Sequence, residues 1–529
     1  MNNIKIFNQS WFSMTSYRKQ LMRLVLILFL ALSACDDGFE ELNVDPVNPT
    51  TIDVDLIISK AIFSFVDSQF SANLEVGMEY AHMAAENNSL VGQYVSDEAR
   101  ADGIWLDMFV QASNINTAYQ RTGQGGEDED LLKHAVVTIL RSMYFQYITD
   151  VFGNIPYLEA GKGLEGISRP VYKGQEFIYK DIFPELDRAM GLIGSATSSG
   201  LSSADVLYND DLQLWKKLAN SLKLRMAMRM RFADPSTATQ FITEAIADPL
   251  ISSNEESAMI TRFFSGRTQD QSPWYNHALG NFVLIGDFII DHLIKTNDPR
   301  LFVYAAPVIN MPTVYQGLTN GISEPIIDKR KNRSLSGPAT YSPLNPTIIF
   351  SYAEVEFLLA EAALIGIGSG SAQNHFRNGI EMSLEYWKKV VDEAIALDIT
   401  ENYTSNTTSD ADIIPLTDTD IQTFTASAIA TLTGSEEEQL KQIMEQKWVA
   451  FFQTGMEAWS EIIRTGYPEI PVRTTSDIPA VFLGTTNGFL PRRILHPLSE
   501  KALNPENYAI AVENDSKEDL LSRMWWDKK

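Results

Sequence analysis

Cysteine is almost absent from this sequence, since Cys35 is the only one among 529 residues. A single thiol excludes a framework of intramolecular disulfides and a zinc site built from several cysteines. Histidine is also scarce, with six residues, and no two of them are placed to share a face of one helix. We therefore expect neither a metal site nor a cofactor.

A long apolar run is missing near the N-terminus, although a short one is present. Leu24–Leu32 is an unbroken apolar run, but crossing a bilayer as a helix takes roughly 20 residues. Lys19 and Arg23 are among the basic residues that precede it, and no acidic residue occurs before Asp36. This order is typical of a secretory signal peptide.

The residues that follow explain the lone thiol. Leu32-Ser33-Ala34-Cys35 resembles the bacterial lipobox, in which the cysteine is acylated and becomes the new N-terminus. We predict a signal peptide over 1–34 and a lipidated Cys35 that opens a tether over 35–52. Asp36 and Asp37 resemble the surface-export signal of Bacteroidetes lipoproteins. We therefore expect the protein on the outer membrane, lipid-anchored and facing the cell exterior. The alternative is a buried N-terminal helix with a stray core cysteine.

Basic residues are outnumbered by acidic ones. The chain has 42 Lys and Arg against 68 Asp and Glu, a net charge of −26. Residues 1–34 hold four basic and no acidic residues, so their removal takes the charge from −26 to −30. Such a body repels a phosphate backbone, and nucleic acid is not an expected partner.

Catalytic motifs are missing too. The sequence contains no phosphate-binding loop, no HExxH, no CxxC and no GxSxG. Glu354 and Glu361 share a helix face and could form a glycosidase pair, but solvated helix surface is the favoured interpretation. Ser409–Asp420 offers oxygen ligands for calcium without the EF-hand spacing. The missing motifs therefore favour a protein that is not an enzyme.

What the sequence does contain is helical periodicity. The segments with this pattern are 56–70, 105–121, 131–150, 175–190, 211–231, 237–247, 282–295, 348–365, 372–397 and 435–464. Strand-like alternation is rare, so we predict one mainly α-helical domain over 53–529. Irregular insertions rich in Pro, Gly, Ser and Asn are expected near 252–280, 298–346, 399–417 and 466–510.

Aromatic residues in these loops are the candidate ligand-binding residues. Trp274, Tyr275, Tyr315 and Tyr341 lie among Gly, Pro, Asn and Gln instead of on an apolar stripe. A flat ring covers the C–H face of a sugar, and nearby amides bind its hydroxyl groups. The alternative is that these rings hold their loops onto the body.

The motifs together resemble the SusD/RagB family of Bacteroidetes outer-membrane lipoproteins, specifically its SusD-like branch. The resemblance rests on the lipobox and on "YITDVFGNIPY" (147–157), "WKKLANSLKLRMAMRM" (215–230), "NDPRL" (297–301), "SYAEVEFLLAEAAL" (351–364), "IMEQKWVAFFQTGMEAWSEIIRTGYPEI" (443–470), "LPRRILHPLSEKALNPENY" (490–508) and "WWD" (525–527). It implies a scaffold of tetratricopeptide-like helix pairs with a loop-rich ligand-binding face, and one long helix over 443–470.

The same resemblance implies a function without covalent chemistry. A SusD-like protein binds an oligosaccharide, or in some relatives a peptide, and delivers it to a SusC-like TonB-dependent transporter. Two alternatives remain open at this point. One is a lipid-anchored glycan hydrolase, and the other is a structural assembly protein whose concave helical face carries the interaction.

Overall fold

Helices dominate the part of the chain that the computed structural model describes. That part comprises residues 52–86, 89–262, 271–279, 283–308, 311, 313–321, 345–368, 370–396, 414–474, 485–513 and 518–529. Residues from Val54 onward belong to one compact unit that extends to Lys529. The predicted signal peptide, Cys35 and nearly all of the tether lie outside the described residues, so those assignments stay predictions.

The helices follow the predicted periodic segments closely. They are α1 Val54–Ser68, α2 Met78–Tyr80, α3 Glu98–Thr122, α4 Leu131–Phe152, α5 Gln175–Ile193, α6 Leu212–Arg229, α7 Pro235–Ala247, α8 Pro273–Leu279, α9 Asp287–Thr296, α10 Leu301–Tyr304, α11 Tyr352–Leu364, α12 Ala372–Ala396, α13 Asp418–Thr425, α14 Glu436–Ala450, α15 Gly455–Thr465, α16 Leu498–Leu503 and α17 Pro505–Glu513. A π-helical segment, Ser71–Gly77, precedes α2. Four of these helices lie partly or wholly in segments that were predicted to be irregular: α8 in 252–280, α10 in 298–346, and α16 and α17 in 466–510.

Local sequence explains where these helices begin and end. Asp97, Asp130 and Asp211 each precede a helix and accept hydrogen bonds from its first backbone N–H groups. An acidic N-cap satisfies these otherwise unpaired donors and favours the positive end of the helix dipole. Gly153 ends α4 with a positive φ of 81°, a conformation that glycine adopts without steric cost.

Three short antiparallel strand pairs correct two helix predictions. β1 Ala84–Glu86 pairs with β5 Val283–Ile285, β2 Ile155–Pro156 with β3 Tyr172–Lys173, and β4 Ala258–Ile260 with β6 Thr347–Phe350. The expected helices over 282–295 and 348–365 therefore start later, at Asp287 and Tyr352. The short apolar runs before them are rich in β-branched residues and occupy strands. Runs this short do not reveal their period, so the sequence could not distinguish strand from helix.

Helices adjacent in sequence pack as neighbours in space. α3 packs on α4, α4 on α5, α5 on α6, α6 on α7, and α11 on α12, while α11 also contacts α14. The core between them includes five fully buried tryptophans: Trp215, Trp387, Trp448, Trp459 and Trp526. Large flat side chains dominate the energetics of such a core.

The prediction of one long helix over 443–470 is wrong. α14 ends at Ala450 and α15 begins at Gly455. Between them Gln453 takes a left-handed φ of 75°, which a continuous right-handed helix does not allow. The break turns α15 so that it contacts α14 and the π-helical segment.

Two glycines allow this contact. A Cβ atom on Gly455 would lie 2.2 Å from the backbone N of Met78, and one on Gly77 would lie 2.3 Å from the backbone N of Met456. Both neighbours are backbone atoms, so they cannot rotate away. We expect Gly455→Ala to lower the free energy of unfolding by about 1–3 kcal/mol through overpacking. Urea denaturation checks this, with Gly103→Ala, which has open space around it, as the control that should not destabilise.

A buried ion-pair network joins α4, α6, α11, α14 and α15. It contains five carboxylates and five cations: Asp150, Glu354, Glu361, Glu457 and Glu461 with Arg225, Arg229, Arg231, Lys447 and Arg464. Arg225 binds Glu354 through two hydrogen bonds of 2.6 Å. Arg464 binds Glu361 through two of 2.7 and 2.8 Å. Such bidentate pairs are the strong form of this interaction.

The network corrects the interpretation of two glutamates. Glu354 and Glu361 were expected on solvated helix surface, but they are 2% and 0% exposed. They do share a face of α11, as their seven-residue spacing indicates, and that face points into the network instead of into water. Each of these two glutamates forms an ion pair with an arginine. Neither lies in a cleft as a free acid or base.

Candidate ligand-binding site

A cleft of about 1090 Å³ opens between the C-terminal end of α9, α10 and α13. Its lining comprises Leu293, Ile294, Lys295, Thr296, Asn297, Asp298, Pro299, Leu301, Phe302, Thr313, Val314, Tyr315, Ile414, Asp420, Thr423, Phe424, Ser427, Ala428 and Ile429. We call it the Tyr315 cleft. Its volume is at the upper end of the range for sites that hold small organic ligands.

One wall is the turn between α9 and α10, which is held rigidly. Asn297 caps α9 in the left-handed conformation. Arg300 then binds Asp298 through hydrogen bonds of 2.6 and 2.9 Å, and both side chains are fully buried. Arg300 also donates to Gln446 on α14 at 2.5 Å. The "NDPRL" motif therefore fastens this wall to the core.

Two aromatic rings lie on this wall. Tyr315 and Phe302 pack edge to face with ring centroids 5.7 Å apart. Phe302 is 38% exposed and Tyr315 is half-buried. Burial raises the pKa of Tyr315 to about 12, so its hydroxyl keeps its proton at neutral pH and can donate a hydrogen bond.

The opposite wall is α13 and the turn after it. A capping box starts this helix: Thr417 accepts from the backbone N–H of Asp420, and the Asp420 carboxylate accepts from the Thr417 backbone at 2.8 Å. Ile414, before the helix, and Ile429, after it, add apolar surface to the lining. An exposed hydroxyl group is contributed by Thr423.

This arrangement suits binding better than proton transfer. The two lining carboxylates are both engaged, Asp298 by Arg300 and Asp420 by Thr417. What remains is aromatic and aliphatic surface with interspersed hydroxyl and amide groups. That mixture is typical of sites that orient a ligand through a few polar contacts on an apolar floor.

The structure places one predicted aromatic residue in this cleft and separates another from it. Tyr315 lines the cleft. Trp274 is 5% exposed and packs edge to face on Phe452 with centroids 5.3 Å apart, beside a different cavity of about 20 Å³ that includes Asn73 and Gln453. Its ring is thus enclosed by the protein in this conformation.

The structure says less about the other predicted ligand-binding residues. Tyr275 is half-buried in α8, next to Trp274. Tyr341 and Cys35 lie outside the described residues. The ligand-binding role of all four aromatic residues stays a prediction, and Tyr315 is the one whose position in a cleft supports it.

Sequence reasoning missed the other apolar residues of the cleft. Ile294, Phe302, Val314 and Ile414 are all exposed and line it. Ile294 and Phe302 fit the apolar pattern of α9 and α10, where a side chain facing a cleft has the same spacing as one facing the core. A usable signal was Phe302, a large ring directly after the polar "NDPRL" turn.

Two negative findings concern the described part of the chain. Within it, no three His, Cys, Asp or Glu side chains are grouped so that they could hold a metal ion. In the same residues, none of the helices has the length and apolarity needed to traverse a bilayer. The calcium candidate at 409–420 is only partly covered, because residues up to 413 lie outside the described ranges.

Comparisons with known proteins identify the fold. A chitin-binding protein of known structure is 24% identical, covers 90% of this chain and 100% of its own, and superposes with a TM-score of 0.75. A chitin-binding SusD homologue from Flavobacterium johnsoniae is 23% identical over 90% and 99% of the two chains, with a TM-score of 0.73. A SusD homologue from Bacteroides thetaiotaomicron is 22% identical over 90% and 100%, with a TM-score of 0.70.

These matches confirm the predicted mainly α-helical, tetratricopeptide-like scaffold. No curated protein matches the sequence. The family model described as "Starch-binding associating with outer membrane" matches residues 46–497. Because that match spans most of the sequence, the chain belongs to the SusD-like family of starch-binding, outer-membrane-associated proteins.

Proposed function

We propose that this protein is a cell-surface lipoprotein that binds oligosaccharides in the Tyr315 cleft and delivers them to a SusC-like TonB-dependent transporter. It holds the glycan without cleaving it. Cys35 carries the lipid that anchors the protein to the outer membrane, and the acidic helical body faces the medium.

The single observation that carries the binding role is the composition of the Tyr315 cleft. An edge-to-face pair of aromatic rings stands on a rigid turn, surrounded by exposed hydroxyl and amide groups. A sugar ring needs both an apolar surface for its C–H face and hydrogen-bond partners for its edge. Membership in a family described as starch-binding supports the same ligand class.

Delivery to a transporter rests on the resemblance of the sequence to SusD-like lipoproteins. The lipobox at Leu32–Cys35 and the acidic residues after it agree with a surface location. Co-purification from the native host, with a tag on this protein, tests the partnership. Recovery of a TonB-dependent barrel with the wild-type protein supports it, and recovery of the tagged protein alone contradicts it.

Tyr315→Ala tests the binding site. If the ring covers a sugar face, truncation should weaken oligosaccharide binding by about 1–3 kcal/mol, as loss of a central aromatic contact does. Isothermal titration calorimetry with glucan and chitin oligosaccharides measures this. Tyr315→Phe keeps the ring and removes the hydroxyl, so it should retain most of the affinity.

Tyr467→Ala is the matched control, because it removes a half-buried tyrosine that is outside the cleft lining and is not a candidate ligand-binding residue. The Tyr315→Ala variant could instead bind oligosaccharides as tightly as the wild type and keep an unchanged circular dichroism spectrum. That result would show that the cleft is not the binding site. Chromatography of the incubated oligosaccharides decides between binding and hydrolysis, since shorter products would favour the enzyme alternative. Preferential binding of oligopeptides would favour a peptide importer.

A further inference from the structure

The Tyr315 cleft has exposed aliphatic side chains besides its aromatic pair. Ile294 is 47% exposed, Val314 and Ile414 are each 39% exposed, and all three line the cleft. Exposed apolar side chains that gather in one concave place mark a binding surface. Branched aliphatic chains do not offer a flat face, so they suit small apolar groups better than they suit sugar rings.

A hydroxyl-only sugar would fit these side chains poorly. Hydroxyl groups pressed against Ile or Val lose their hydrogen bonds to water and gain none in return, which costs free energy. A methyl group placed there instead leaves water at a gain of about 0.8 kcal/mol. The aliphatic part of the lining therefore favours a ligand that carries methyl groups on its sugar rings.

The charges of the cleft argue against an acidic glycan. Lys295 is the one Lys or Arg among the described residues of the lining. Asp420 adds a carboxylate to the same lining, the charge of Asp298 is compensated by Arg300, and the whole chain has a net charge of −26. Recognition of uronate or sulfate groups uses clustered arginines or lysines, which this part of the structure does not provide.

We infer that the Tyr315 cleft recognises a neutral, N-acetylated oligosaccharide, with the aliphatic side chains of Ile294, Val314 and Ile414 contacting acetamido methyl groups. This inference rests on the proposed function and specifies its ligand class. An acetamido group joins a methyl group to an amide N–H and C=O. Asn297, Thr313 and Thr423 on the lining supply amide and hydroxyl partners for that amide.

The test compares two hexasaccharides that differ only at C2. N-acetylchitohexaose and cellohexaose share the β-1,4 linkage, and the first has an acetamido group where the second has a hydroxyl. Isothermal titration calorimetry should show binding of N-acetylchitohexaose at least about tenfold tighter, which corresponds to two buried methyl groups. A hexagalacturonate and an uncharged apolar hexapeptide complete the set, and both should bind more weakly than N-acetylchitohexaose.

The variant Ile294→Ser assigns the preference to the aliphatic surface. It should lower the affinity for N-acetylchitohexaose by about fourfold, the equivalent of one buried methyl group. Its affinity for cellohexaose should stay within about twofold of the wild-type value. Ile395→Ser is the matched control: Ile395 also lies in the last turn of a helix, is 42% exposed and is outside the cleft lining. It should change neither affinity.

Equal affinities for the two hexasaccharides, tighter binding of the acidic or peptide ligand, or an equal loss for both sugars in Ile294→Ser would overturn the inference. Of these results, only tighter binding of the peptide also contradicts the proposed function. The proposed function fails separately, if the Tyr315→Ala variant binds every oligosaccharide as tightly as the wild type does.

Discussion

Replacing Arg464 with methionine should lower the free energy of unfolding by about 3–5 kcal/mol. The Arg464 guanidinium is fully buried and contacts two carboxylates, Glu361 at 2.7 Å and Glu461 at 2.5 Å. Methionine fills much of the same volume but carries no charge. The folded protein would then hold two buried carboxylates that have lost a main partner, which costs far more than an exposed ion pair contributes.

The carboxylate pKa values show how strongly the network holds these charges. Burial by itself would raise the pKa of Glu461, but the charges of Arg464, Lys447 and Arg229 outweigh it and hold that pKa well below the ordinary 4.5. Arg464 and Arg231 likewise lower the pKa of Glu361 against its burial. Stability from such groups is present above pH 4.5 and declines as the pH falls through their folded-state pKa values.

Urea denaturation at pH 7 and at pH 4 measures the effect. The deficit of Arg464→Met should be largest at pH 7 and smaller at pH 4, where protonation begins to neutralise the carboxylates in the variant. Arg188→Met is the control, because Arg188 is 49% exposed in its pair with Glu185 and should contribute at most about 1 kcal/mol. If Arg464→Met unfolds at the same urea concentration as the wild type, the network does not stabilise the fold as described. Should the variant fail to accumulate, Arg464→Lys keeps the charge and should be intermediate.

Glu79→Gln should make the protein more resistant to alkaline pH, by roughly 2–4 kcal/mol relative to the wild type between pH 5 and pH 9. Glu79 is fully buried. Its Oε1 accepts a hydrogen bond from the backbone N–H of Glu86 at 2.7 Å, and its Oε2 lies 2.5 Å from the Ser89 hydroxyl. Glutamine has nearly the same shape and can occupy these positions without a charge.

The sign of the effect follows from the pKa of Glu79. Burial, and after it the negative charge of Glu86, raise this pKa from 4.5 to about 8, against the hydrogen bonds from Ser89 and Glu86 and the charge of Arg100. A group whose pKa is higher in the folded than in the unfolded state stabilises the fold fully below pH 4.5. That contribution is lost as the pH rises through about 8. Glutamine has no proton to lose, so its contribution stays constant.

Unfolding free energies of both proteins at pH 5, 6, 7, 8 and 9 test this, and the difference between them should grow with pH. Glu176→Gln serves as the control for a change from carboxylate to amide, since Glu176 is exposed on α5. Its pH profile should run parallel to that of the wild type. Parallel profiles for Glu79→Gln as well would show that Glu79 keeps its charge in the folded state.

The helices could be predicted because their information is local. Apolar residues recur every three to four positions in 131–150, 175–190 and 372–397. The observed helices begin at the predicted residue in each case. Predictions failed where a short apolar run had no readable period, as in β6, or where one left-handed residue interrupted a helical pattern, as Gln453 does between α14 and α15.

Charged residues on helices could not be sorted into buried and exposed from the sequence. Glu361 and Glu438 have the same side chain and both lie on helices. Yet Glu361 meets Arg464, 103 positions away along the chain, while Glu438 caps its own helix in solvent. Only the side-chain contact between α11 and α15 distinguishes them, because a carboxylate is buried where a distant cation compensates its desolvation.

The candidate site shows the same division. Trp274 and Tyr315 were both predicted to be loop aromatics because turn residues flank them, although Trp274 lies in α8. In the tertiary structure, Trp274 meets Phe452 from far along the chain and is enclosed, while Tyr315 meets its near neighbour Phe302 and lines a cleft.

The sequence by itself determined the helical class, most helix positions and the resemblance to SusD-like proteins, since caps, periodicity and motif order all act over short stretches of chain. The tertiary structure alone decided which acids are buried and which aromatic and aliphatic side chains line a cleft. These properties depend on the solvent exposure of each group, and exposure is set by contacts between residues that are distant in sequence.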